Sequence, residues 1–206
     1  MERYLITQTL LSSWAYQFNA AEGFEEEAKE DFLRTLRREK REPNENMKNG
    51  IEFEDEVYMA AAIPRPPHKK WEDGILKVAH IIQGAPVQVK ASRELQVGDM
   101  TFLVYGILDA LKAGTIYDVK FLNSSMGSSE LAGKYLDSPQ HPAYFYLVPE
   151  AFEFQYLVSD GKDLYIEKYT REESRHISEF IAEFINSITQ LGLLDIYKEH
   201  WRADEQ

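Results

Sequence analysis

The chain has 206 residues, 44% of them hydrophobic, enough to bury one sizeable core, and this predicts a single domain over residues 1–206. Cysteine is absent, which excludes disulfides, thiol catalysis and thiolate-bound metal sites, an iron–sulfur cluster among them. The 35 acidic and 23 basic residues leave a net charge of −12, a field that repels phosphate as a whole.

No apolar run approaches the ~20 residues of a membrane span, and the N-terminus lacks the basic-then-apolar layout of a signal peptide. A cytoplasmic location with no membrane partner is expected. Leu10, Leu11, Trp14 and Phe18 recur at helical spacing and predict a helix over Tyr4 to Phe18, capped by Thr7 or Thr9. Glu25 to Arg41 reads as a charged amphipathic helix whose buried stripe is Ala28, Phe32 and Leu36. Pro43 to Asn46 breaks it, and Asn49-Gly50 opens the next helix, Ile51 to Ala62. A stiff Pro-rich connector, Ile63 to Pro67, leads to a helix over Trp71 to Ile82.

Three strands follow, Val87 to Leu95, Thr101 to Leu111 and Thr115 to Leu122, with turns at Val97-Gly98-Asp99 and Lys112-Ala113-Gly114. A short helix is expected over Ser129 to Leu136. Ser138-Pro139 supplies a favourable start for the helix carrying Gln140 and Tyr144. Phe152 to Val158 and Leu164 to Tyr169 form a hairpin, and helices over Glu172 to Leu191 and Leu194 to Trp201 end the chain.

The second and third strands carry the chemistry. Gly106-Ile107-Leu108-Asp109 lies in the second, and Tyr117-Asp118-Val119-Lys120 in the third. Alternation puts Asp118 and Lys120 on one face with Val119 on the other. Two carboxylates and an ammonium gathered on a sheet face require partners, and a divalent cation is the partner that suits the carboxylates. The bland alternative is a solvated hairpin with a surface ion pair.

Upstream lies Gly50-Ile51-Glu52-Phe53-Glu54, and downstream Gln140-His141-Pro142-Ala143-Tyr144. In this order the four elements resemble the PD-(D/E)xK nuclease superfamily, in particular its RecB-like and lambda-exonuclease-like branch. The resemblance covers about residues 48–166. It implies an α/β fold with a restriction-endonuclease-like αβββαβ core, a central mixed sheet flanked by helices. It also implies a metal-dependent DNA nuclease, an exonuclease of phage or mobile-element type, using Mg²⁺ or Mn²⁺ and acting on DNA in recombination or repair.

On this reading Asp109 and Asp118 ligate the metal directly, the backbone carbonyl of Val119 adds a further ligand, and Glu54 completes the set, directly or through water. Lys120 orients the attacking water and stabilises the transition state. Gln140 and Tyr144 share a helix face and contact DNA or order the lysine. Glu52 rivals Glu54 as the helix ligand, and the bland reading of Gln140 and Tyr144 is a helix cap and a core Tyr. His141 reads as a surface residue. A homo-oligomer and a phage recombination partner protein complete the expected partners.

The acidity favours a second reading, a catalytically inactive module of this fold that binds a protein partner. A third is an acidic metal-binding or DNA-mimicking protein, which would have no use for Lys120. For a nuclease, the expected basic rim draws on Arg34, Arg37, Arg38, Lys40 and Arg41, and on Arg65, His68, Lys69 and Lys70.

Overall fold

A computed structural model describes residues 2–20, 22–63, 70–125 and 131–203. Arg3–Thr7 forms β1, and Gln8–Asn19 forms α1. The expected helix from Tyr4 is therefore half right. Tyr4 and Ile6 alternate inward as strand residues, and Thr7 ends the strand and caps the helix, its hydroxyl accepting from Leu10 N at 3.3 Å. The pull toward a strand comes from β3, with which β1 pairs in parallel, a contact about a hundred residues away that local periodicity does not register.

Glu25–Leu36 is α2, buried along Ala28, Phe32 and Leu36, with three Glu in its first turn and Arg34 in its last, as the helix dipole favours. Glu45–Ala62 is α3, which begins six residues before the expected Ile51. Asn44 caps it, its side chain accepting from Met47 N at 2.9 Å, and Gly50 is absorbed into the helix instead of opening it. Glu72–Ile82 is α4. The strands β2 (Val87–Val97), β3 (Met100–Lys112) and β4 (Thr115–Phe121) form an antiparallel meander. Ala113 and Gly114 both take positive φ, 51° and 80°, so the β3–β4 hairpin closes on a two-residue turn whose twist matches that of the strands.

The remaining elements are α5 (Gln140–Leu147), β5 (Glu153–Ser159), β6 (Leu164–Thr170), α6 (Ile177–Gln190) and α7 (Leu194–His200). The helix expected over Ser129 to Leu136 falls partly outside the described residues, and only turns follow Leu131. The order is the expected one: α3 and α4, three strands, α5, then β5. It builds a central mixed sheet of six strands flanked by helices. One core lies against α1, α2, α5, α6 and α7 (Leu10, Phe32, Phe154, Phe184, Tyr197), and the other against α3 and α4 (Phe53, Val57, Ile75, Val119, Leu157). No described helix is long and apolar enough to cross a membrane.

The sheet topology opens a gap at its centre. One edge of β3 is fully taken by β2, from Val97↔Met100 to Val87↔Ala110. The other edge is shared: β1 pairs with Thr101 to Tyr105, and β4 pairs only with Ala110 to Lys112. β4 then follows β5 in parallel and leaves β3. Gly106 to Asp109 are thus without a strand partner on that edge, and a cleft forms where the strands part.

Candidate active site

The cleft has a volume of about 350 Å³. Glu54 enters it from α3, Gly106, Ile107 and Asp109 from β3, and Asp118 and Lys120 from β4. Gln140 and Tyr144 close it from α5, and Thr7, Gln8 and Thr9 at the β1–α1 junction form the opposite side. Every side chain expected at the site therefore meets in one place. Glu52, the rival of Glu54, does not: it pairs with Lys70 at 3.1 Å on the exposed side of α3.

Asp109 bridges the parted strands. Its Oδ2 accepts from Val119 N at 2.8 Å, taking the place of a ladder carbonyl that β3 no longer offers. Its Oδ1 accepts from Gln88 Nε2 at 3.4 Å, Tyr58 also donates to the carboxylate, and Gln88 donates to the Tyr58 hydroxyl at 3.0 Å. Gln88 holds φ at 53° inside β2, a left-handed conformation that is costly for a residue with a side chain. Asp118 is 3% exposed. Its Oδ1 accepts from Gln140 Nε2, and its Oδ2 lies 2.8 Å from the Lys120 ammonium.

The electrostatics follow from this crowding. Burial, then the Asp109 carboxylate, pushes the Glu54 carboxyl up to about 7 against the pull of Lys120. Burial and the neighbouring Asp118 raise Asp109, and burial raises Asp118 even though Lys120 and Gln140 stabilise its charged form. Burial alone would lower Lys120, but Asp118 outweighs it and holds the ammonium protonated. Three carboxylates thus face one ammonium in the cleft.

That excess of negative charge, presented on carboxylate and carbonyl oxygens, suits a hard divalent cation. Glu54, Asp109, Asp118 and the Val119 carbonyl have the right donor chemistry. Among the described residues, however, no three Asp, Glu or His side chains stand ready as a formed metal shell. Asp109 is turned to Val119 N and Asp118 to Lys120, so a cation has to compete with both.

Tyr144 explains a glycine. Its ring lies against β3 so closely that a Cβ on Gly106 would stand 2.5 Å from Tyr144 Cε1, and its hydroxyl donates to Ile107 O at 2.8 Å, satisfying a carbonyl of the unpaired edge. Gly106→Ala is expected to destabilise the protein by ~1–3 kcal/mol through overpacking. In urea titrations the double variant Gly106→Ala/Tyr144→Ala should lose clearly less than the sum of the two single changes; additivity would show that the ring does not rest on Gly106.

His141 departs from expectation. It is buried, its ring stacks on Tyr169 at 4.2 Å, Nδ1 meets the Tyr156 hydroxyl at 3.2 Å, and burial lowers its pKa to about 4. Cross-strand pairing places Tyr156 beside Asp118 and the buried Glu167 beside Tyr156. Tyr135 stacks on Tyr156 at 4.1 Å, and its N–H donates to Glu167 at 3.3 Å. This aromatic layer backs the site, and nothing in the local sequence announces it.

The helix expected to reach Arg41 ends at Leu36, and its arginines and those just after it do not form the expected basic rim. Arg34 pairs with Glu30, Arg37 with Glu39 and Arg41 with Asp31, while Arg38 lies over Trp201; none of the four lines the cleft. Arg65, His68 and Lys69 lie outside the described residues.

No protein-family model matches the chain, and no curated protein matches it. Several solved structures are similar in fold. The crystal structure of SSO0001 aligns with a TM-score of 0.48 at 14% identity, over 91% of this chain and 77% of that one. LHK-Exo in complex with dAMP aligns at 0.40 and 14% identity over 90% of each chain. Rai1 of Scheffersomyces stipitis, with (3'-NADP)⁺ and calcium, aligns at 0.42 and 16% identity over 91% of this chain and 60% of that one. These are likenesses in chain course at low identity, and they say nothing of what this chain does.

Proposed function

We propose that this chain is a metal-dependent nuclease that hydrolyses DNA, acting as an exonuclease on phage or mobile-element DNA. The observation that carries the reading is the meeting of Glu54, Asp109, Asp118 and Lys120 in the cleft where β4 leaves β3. A structural ion pair would account for Asp118 and Lys120. It would not account for two further carboxylates held up in pKa beside them.

Asp109, Asp118, Glu54 and the Val119 carbonyl would hold Mg²⁺ or Mn²⁺. Such an ion, when bound, lowers the pKa of water and offsets charge on the scissile phosphate. Lys120 keeps its proton and directs it at a phosphoryl oxygen as negative charge grows there. Glu54, held up in pKa by burial and by Asp109 while no cation offsets the carboxylates, would complete the set around the ion, directly or through water. Gln140 fixes the orientation of Asp118, and Tyr144 braces the open edge of β3.

The second reading, a protein-binding module without activity, draws on the net charge and on Arg34 and Arg41 being engaged with carboxylates. End-labelled linear and circular DNA, incubated with Mg²⁺ or Mn²⁺ and with chelator, separates the two. Metal-dependent loss of label from linear DNA alone is expected. No cleavage by folded protein under any of these conditions would leave the binding module standing.

A further inference from the structure

A second groove, of about 440 Å³, continues from the cleft along the first half of α3. Glu54 and Lys120 line both, so whatever occupies the cleft can run on into it. Its floor is apolar and open. Met47 and Ile51 stand one helical turn apart, 52% and 54% exposed, and Gly50 between them offers no side chain and meets nothing. Phe121 also lines it.

The walls are tied by asparagines and by one lysine, Lys70, which donates to Asn49 Oδ1 at 3.1 Å and pairs with Glu52. Asn49 donates to Asn123 Oδ1 at 2.8 Å, Asn123 donates in turn to Asn46 O at 3.4 Å, and Asn44 caps the helix. These bonds link the first half of α3 to the residues just after β4. Among the described residues that line it, Lys120 is the only basic one.

From this lining we infer that the groove receives an unpaired nucleic-acid strand, with bases laid on Met47 and Ile51 and the backbone turned outward. The inference rests on the nuclease reading for its choice of ligand. A duplex carries one charge per ~1.7 Å of axis and a single strand one per ~3.4 Å, so a protein of charge −12 repels a single strand less. Duplex binding requires a row of cations along the groove. Unstacked bases require apolar surface and a few amides, and those are what α3 presents.

The test is binding in Ca²⁺, read by anisotropy of a labelled oligothymidine and of a fully paired duplex of equal length. The single strand should bind at least about tenfold tighter than the duplex. Met47→Ser/Ile51→Ser should weaken single-strand binding by about tenfold, the scale of one lost base contact. Leu191→Ser, at an exposed position beyond the end of α6, serves as control and should change nothing. Equal or tighter duplex binding, or no effect of the double substitution with thermal melting unchanged, overturns the proposal. Cleavage in Mg²⁺ is scored separately. Selective single-strand binding without any cleavage would sink the nuclease reading and keep the groove.

Discussion

Asp118→Asn should abolish metal-dependent DNA hydrolysis while leaving the fold intact. The change removes a full charge at almost constant volume, from a carboxylate that is 3% exposed and held on one side by Gln140 and on the other by Lys120. It takes away an oxygen donor and also leaves the Lys120 ammonium without its partner. Lys120→Ala isolates the other half of the pair. Asp109, Asp118 and Glu54 remain, and the competition between ammonium and cation for Asp118 disappears, so Mn²⁺ binding measured calorimetrically should persist. Turnover should fall by a factor on the order of 10² or more, the scale of one lost transition-state donor. Wild-type cleavage matched by Asp118→Asn would show that the activity belongs to a contaminant.

How much of this was legible in the sequence depends on the range of the interactions involved. The stripe of α2 was readable because Ala28, Phe32 and Leu36 encode their burial within one helix. The β3–β4 hairpin was readable from Lys112-Ala113-Gly114 and the flanking alternation. Asp109, Asp118 and Lys120 were found because a charge inside an apolar strand is conspicuous without knowledge of its neighbours. β1 was misread because its strand character is imposed by β3. α3 starts earlier than expected because Pro43 to Asn46 reads as a break and Asn49-Gly50 as the opening, whereas Asn44 within that break is the cap.

The supporting residues were invisible for a related reason. Tyr58 and Gln88 meet Asp109 from α3 and β2, and Tyr135 and Glu167 reach the site through Tyr156 on a strand that lies between Asp118 and Glu167. Only the three-dimensional register joins them. His141 was read as a surface group because helix starts are usually exposed, but here α5 begins beneath the sheet and its first residues are buried. The basic rim failed because the count of arginines carried no information about their partners, and the nearby Asp31 and Glu30 claim two of them.

The crowded carboxylates also predict an unusual dependence of stability on pH. Glu54 rises to about 7 in the folded protein, and Asp109 is raised in the same direction by burial and by Asp118. A carboxyl with a raised folded-state pKa binds its proton more tightly when folded than when unfolded. Its contribution is present in full only below the ordinary carboxylate range of ~4, and is lost progressively as pH climbs from there through 7. Asp109→Asn keeps an oxygen to accept from Val119 N and removes one of the charges that repel. In thermal melts this variant should come nearest to wild type at about pH 4, pull ahead as pH rises, and exceed it by several degrees at pH 8, about 2–4 °C for each kcal/mol in a chain of this size. Mn²⁺ at pH 8 should raise the melting temperature of wild type by mass action and leave that of Asp109→Asn nearly unchanged. The variant should at the same time be inactive, the stability gained being the strain that the site stores for a cation. A variant less stable than wild type at pH 8, or equally shifted by Mn²⁺, would mean that Asp109 serves as a strand bridge and nothing more.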